Sequence, residues 1–123
     1  MKLILVFVGS GLGGCLRFWI GEQTSKWLNN SFPFGTLIAN FSACIILGLV
    51  IGLAGNSWLD EKTRLFLIIG VCGGFSTFST FSRETIELFS TNKMLEGSIY
   101  IFISIVSCIA AVYFGSAVTK FFN

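Results

Sequence analysis

The chain has 123 residues and a mean hydropathy of +0.83; 54% are hydrophobic, 11% charged, the formal charge is +2 and histidine is absent. No soluble single domain of this size carries that balance, so composition points to an integral membrane protein and leaves no room for a separate soluble domain. A partner such as nucleic acid, which selects for strongly basic faces, is not expected.

Four apolar runs come close to the roughly 20 residues a bilayer core requires: Leu3–Ile20, Phe34–Ala54, Leu65–Ser90 and Gly97–Phe121. The expected architecture is an all-α membrane protein, one domain over residues 1–123 with four short-connected transmembrane helices. The first run is read as a span and not as a cleaved leader, because cleavage would remove Gly13, Gly14 and Arg17 and no small-residue cleavage signature is evident. Cys15, Cys44, Cys72 and Cys108 fall one to a span without paired spacing, which argues against a disulfide framework or a metal cluster. Four spans put both termini on one side with Lys2, Lys62, Arg64 and Lys120, against Arg17, Lys26, Arg83 and Lys93 on the other. Because excess Lys and Arg in short loops sets orientation, this tie predicts insertion both ways up and an antiparallel, dual-topology homodimer.

In the first span Gly9, Gly13 and Ser10, Gly14 recur every four residues, a strip that lets another helix approach closely. Arg17 follows one turn later, either snorkelling to headgroups or lining an entrance where it raises the local anion concentration. Pro33 opens the second span, as proline is tolerated in a first helical turn. Thr36, Asn40, Cys44 and Gly48 then share one face. Asn40 is the one carboxamide within a span, serving either as interhelical glue or as an uncharged donor that holds an anion without trapping it. The loop 56–64, with Trp58, Asp60, Glu61 and Lys62, reads as an interfacial anchor.

The third span departs most from a lipid-facing helix. Gly73-Gly74-Phe75-Ser76-Thr77-Phe78-Ser79-Thr80-Phe81-Ser82 puts paired glycines, which cost a helix interior about 1 kcal/mol each, in mid-span. A helix broken near the midplane is expected, and such a backbone is tolerated only inside protein or beside a polar cavity. The phenylalanines pack, or present their positive ring edges to an anion. In the fourth span Tyr100 and Ser104 share a face and either satisfy upstream carbonyls or extend this polar track. Glu22 and Glu84 are read as lying at span ends, so the chain lacks the intramembrane carboxylate of proton-coupled transporters. With no nucleophile–base pair or phosphate loop either, an enzyme is not expected; neutral donors, ring edges and carbonyls fit a passive selective pore.

Gly13-Gly14-x-x-Arg17, Gly35-Thr36-x-x-x-Asn40 and the 73–82 element together resemble the bacterial fluoride channel family, called Fluc or CrcB, in order and over the whole chain. The resemblance implies a multi-pass protein of the bacterial inner membrane, passing fluoride passively out of the cytoplasm and lowering its toxicity. It implies an antiparallel homodimer with two fluoride pathways along the interface. Asn40, Phe78 and Phe81 would contribute to the pathway, Ser79 and Thr80 would form a polar track, and Thr36, Tyr100 and Ser104 would extend it. Arg17 would match a vestibule arginine. A structural sodium ion would be held by the main-chain carbonyls of Gly73 and Ser76. The chain departs from the family pattern at Phe75, where relatives often have an aliphatic residue, and at Cys108, where some have serine. The competing readings are a small dual-topology multidrug transporter, which would need a carboxylate embedded in the first span, and a non-transporting assembly subunit.

Overall fold

A computed structural model describes residues 1–28, 31–53 and 59–121. Four helical segments long and apolar enough to cross a membrane account for nearly all of them: Lys2–Trp27, Phe34–Gly52, Glu61–Ser90 and Met94–Phe121. No strand occurs among the described residues. The expected spans are all present, and the first, third and fourth helices run beyond their apolar stretches. The first continues through Glu22 to Trp27, where a Thr24 hydroxyl donates back to the Ile20 carbonyl at 2.7 Å. Ala54 and Trp58, assigned above to the end of the second span and to the following loop, lie outside the described residues.

Charges mark the two ends of the bundle. Lys2 Nζ meets Glu61 Oε1 at 2.6 Å, so the start of the first helix adjoins the start of the third span. At the other end Lys93 bonds Ser31 and lies 3.9 Å from Glu96. Asp60 caps the third span by accepting from the Thr63 amide at 2.9 Å. The Thr63 hydroxyl and amide hold its carboxyl below the ordinary value of 3.8, so the cap persists at neutral pH and is lost only as pH falls through that lowered value. The third and fourth spans are joined by a tight turn that satisfies the last carbonyls of the third. Lys93 N–H donates to Leu88 O at 2.9 Å and Asn92 N–H to Phe89 O at 3.2 Å, around Asn92 at φ 60°. Asparagine tolerates that left-handed conformation better than most residues.

The third span changes conformation along its length. Glu61–Arg64 is α-helical, Leu65–Cys72 is π-helical, and Gly73–Phe75 returns to α geometry. Ser76 (φ −76°, ψ 156°) and Thr77 (φ −152°, ψ 120°) are extended, and a second helical piece runs over Phe78–Ser90. The bend therefore falls two residues beyond the glycines. Gly73 itself is helical at φ −65°, ψ −36°. What the glycines provide is proximity. A Cβ on Gly74 would sit 2.4 Å from Ser10 O, and one on Gly13 would sit 2.2 Å from Val71 O. Gly9 and Gly70 meet in the same way, with Gly70 Cα 2.8 Å from a Cβ built on Gly9. The first helix thus packs backbone to backbone on the first half of the third span.

The second and fourth helices form the other close pair. They run parallel in constant register: Gly48 faces Val112 and Gly52 faces Ser116, with a built Cβ 2.3 Å from Val112 O and 2.6 Å from Ser116 O. Stepping back one turn at a time along both helices pairs Cys44 with Cys108, Asn40 with Ser104 and Thr36 with Tyr100. The glycine half of this ladder is pure packing, and the other half carries polar groups. Gly48→Leu is expected to separate the helices and leave little folded protein, measured as the monodisperse yield after detergent extraction, because the atoms it would strike are backbone and cannot rotate aside.

Candidate functional site

The polar half of the ladder faces the bend. Thr77 N–H donates to Asn40 Oδ1 at 2.7 Å, and Asn40 Nδ2 donates to Thr77 O at 3.2 Å. One carboxamide thus satisfies both backbone groups of the residue that has left the helix. This is the interhelical role left open by the sequence, and it leaves one amide hydrogen unassigned. Thr77 also caps the second helical piece, its Oγ1 accepting from Thr80 N–H at 3.2 Å and donating to Thr80 Oγ1 at 3.1 Å.

Beside this junction lies a cavity of about 250 Å³ lined by Asn40, Cys44, Ser76, Thr77, Phe78, Phe81, Ser104, Ile105 and Cys108. Ser104 Oγ is buried and, among the described residues, is the one such side-chain oxygen without a hydrogen-bond partner. Neighbouring hydroxyls behave otherwise: Ser98, Ser82 and Thr85 each donate to the carbonyl four residues upstream. Phe78 and Phe81 stack at 5.5 Å between centroids, and Phe81 meets Tyr100 at 5.1 Å. Phe78 is 79% exposed on the single chain. Cavity and rings therefore open onto the outer face of the chain.

From Tyr100 the polar contacts continue to a second cavity. Glu84 accepts from Thr36 Oγ1 on one carboxylate oxygen and from Tyr100 OH on the other, each at 2.9 Å. Its side chain is 17% exposed, so this carboxylate, read above as lying at a span end, is tucked against the protein. The helix continues to Ser90, which draws Glu84 inward against the fully buried Tyr100. Thr36, Thr80, Glu84 and Arg17 line this space of about 360 Å³, together with Glu22. Arg17 Nη1 reaches back to donate to Ser76 O at 3.3 Å. The guanidinium is thus turned towards the bend while it lines this cavity. Of the remaining residues singled out above, Ser79 lines neither cavity; its hydroxyl lies 3.3 Å from Thr77 Oγ1. Gly73 is exposed.

A family model described as CrcB-like protein, Camphor Resistance (CrcB), matches residues 4–116. The chain belongs to this CrcB family. Among its relatives, a protein of Clostridium novyi (strain NT) is 42% identical, with 97% of this chain and 96% of that protein covered. One from Azobacteroides pseudotrichonymphae genomovar. CFP2 is 38% identical over 98% of each. One from Methylocella silvestris is 36% identical over all of this chain and 96% of its own length. All three bear the name "Fluoride-specific ion channel FluC".

Within this CrcB chain, Glu84 is the site residue that sequence reasoning missed. The available signal was spacing: in a helix opening at Phe78, Glu84 follows Thr80 by four residues and so shares its face. Glu84→Ala is expected to lower the melting temperature of the purified protein, since it removes the shared acceptor of the Thr36 and Tyr100 hydroxyls, a loss of about 1–3 kcal/mol. Glu84→Gln keeps an acceptor and a donor for those hydroxyls and is expected to recover most of that loss.

Proposed function

We propose that this chain is a fluoride-selective channel, acting as an antiparallel pair of copies in the bacterial inner membrane and letting cytoplasmic fluoride leave down its electrochemical gradient. The observation that carries the reading is the convergence of Asn40, Ser104, Phe78 and Phe81 on one cavity, with Phe81 in ring contact with Tyr100, whose hydroxyl shares Glu84 with that of Thr36 beside a second cavity. An amide hydrogen, an unpartnered hydroxyl and ring edges hold a small anion weakly, and a route needs binding weak enough to release. The name borne by the relatives that match over nearly their whole length supports the same reading. Thr80 and Arg17 would serve the entrance, with Ser79 on the exposed flank beside Phe78. An inverted second copy would cover that flank and close the route, in keeping with the charge tie between the two sides.

A sodium ion at the bend would take the carbonyls of Gly73 and Ser76, which we read as the family's break near the midplane. The local bonding fits. Thr77 N–H, which would close the α-helical turn onto Gly73 O, goes to Asn40 instead. A Cβ on Gly73 would meet only Ile68 O, at 3.8 Å, so that position faces open space. Ser76 O accepts from Arg17 and keeps a second lone pair. A cation held there would supply fixed positive charge that offsets repulsion between nearby anions.

The test is ion efflux from proteoliposomes. Fluoride is expected to leave rapidly with no imposed proton gradient, while chloride is retained; equal rates for the two ions would remove the assignment. Efflux that requires a proton gradient would instead favour a coupled transporter built on Glu84.

A further inference from the structure

The pathway lining contains two groups that the channel reading leaves unused. Cys44 and Cys108 occupy the ladder rung between Asn40–Ser104 and the glycine contacts, and both line the cavity of about 250 Å³. Both thiols therefore belong to one wall of the cavity, on facing helices. Backbone contact one turn further on, at Gly48 and Val112, fixes the separation of the two helices at this level. Both cysteines are only partly exposed, at the cavity wall, whereas Cys15 on the first helix is fully exposed.

We propose that Cys44 and Cys108 form a two-coordinate site for a soft monovalent cation of the Cu⁺ or Ag⁺ class, and that an ion bound there blocks the cavity. The chemistry selects this class. Thiolate sulfur prefers soft d¹⁰ ions. Two ligands without a third histidine, cysteine or carboxylate do not build the four-coordinate shell of zinc; among the described residues there is no group of three such side chains. On binding, each thiol releases its proton to water and each sulfur forms one bond to the metal, giving a bis-thiolate complex of single negative charge. That charge would be costly in an apolar pocket. Here it falls next to Ser104 Oγ, a buried hydroxyl with no partner and a proton to donate. The free amide hydrogen of Asn40 belongs to the same wall. A cavity lined to receive an anion therefore also suits the anionic form of this complex, and binding should tighten as pH rises.

The blocking effect rests on the channel reading; the binding site does not, and two measurements separate them. Titration of the purified protein with Ag⁺ in nitrate buffer without fluoride is expected to show tight binding that weakens by roughly two orders of magnitude in Cys44→Ser and in Cys108→Ser. The Cys15→Ser/Cys72→Ser double variant should keep it. Fluoride efflux, normalised to each protein's own metal-free rate, should stop on adding Ag⁺ to the parent and to the double variant. It should persist in Cys44→Ser and Cys108→Ser. If either serine variant is too poorly folded to purify, Cys44→Ala and Cys108→Ala replace it, with the sulfur–metal charge-transfer absorbance as readout. Undiminished tight binding without Cys44 or Cys108, or binding lost only in the double variant, would overturn the site. Binding as expected without any metal-free fluoride efflux would preserve the site and remove the channel reading.

Discussion

Asn40→Ala is expected to abolish fluoride efflux and, more tellingly, to lower the thermal stability of the purified protein by tens of degrees or prevent its isolation. The reason is local and severe. Thr77 is 8% exposed and has left the helix, and its N–H and C=O both depend on the Asn40 carboxamide. Removing the side chain orphans two backbone groups at once, at about 1–3 kcal/mol each in a buried site and more where no water can reach. An asparagine that only touched a passing ion would leave stability unchanged when replaced, so melting temperature distinguishes the two roles. Asn40→Asp sharpens the test. A protonated carboxyl can donate to Thr77 O and accept from Thr77 N–H, as the amide does, whereas the carboxylate would place charge beside a carbonyl oxygen. Stability and efflux of Asn40→Asp should therefore rise as pH falls. A flat pH response with normal stability would show that the bend is held by other contacts.

Gly13→Ala and Gly74→Ala are expected to be nearly as damaging, although alanine is the best helix former. A single Cβ at Gly13 would approach Val71 O to 2.2 Å and Phe75 N to 2.6 Å; at Gly74 it would approach Ser10 O to 2.4 Å and Ser10 Cα to 2.7 Å. These are main-chain atoms, so the first helix must move away from the third span, and overpacking of this kind costs about 1–3 kcal/mol or more. Gly11→Ala supplies the control, since nothing lies within 4 Å of its Cβ. It should fold normally. If Gly13→Ala and Gly74→Ala retain parental yield and melting temperature, the close approach of the first helix to the bend is not required for stability.

Much of this arrangement was legible in the sequence, to differing depths. The four spans follow from hydropathy, because the bilayer sets a minimum apolar length that the chain meets four times. Their ends did not, since a helix can continue into water once nucleated, as the first does from Ile20 to Trp27. Gly73 and Gly74 signalled irregularity correctly in region but not in residue. Glycine answers equally to unusual dihedrals and to close backbone approach, and only the position of the first helix decides between them. Asn40, Ser104, Phe78 and Phe81 were identified by residue type and do share a cavity. The bond from Asn40 to Thr77 joins residues 37 positions apart on different spans, and nothing local announces it. Glu84 was not picked out as the partner of Thr36 and Tyr100 because the bend resets helical phase at Phe78, so the face it presents depends on where the second piece begins.

The common register of the second and fourth helices has a consequence for how such a protein can change. One added residue turns everything beyond it by about 100°. A single insertion in mid-helix would thus rotate Thr36 and Asn40 away from Tyr100 and Ser104, or Gly48 and Gly52 away from Val112 and Ser116, depending on which side of it they lie. Side chains on these two helices can therefore be exchanged in place, whereas an insertion within either helix is expected to disrupt the packing on one side of it.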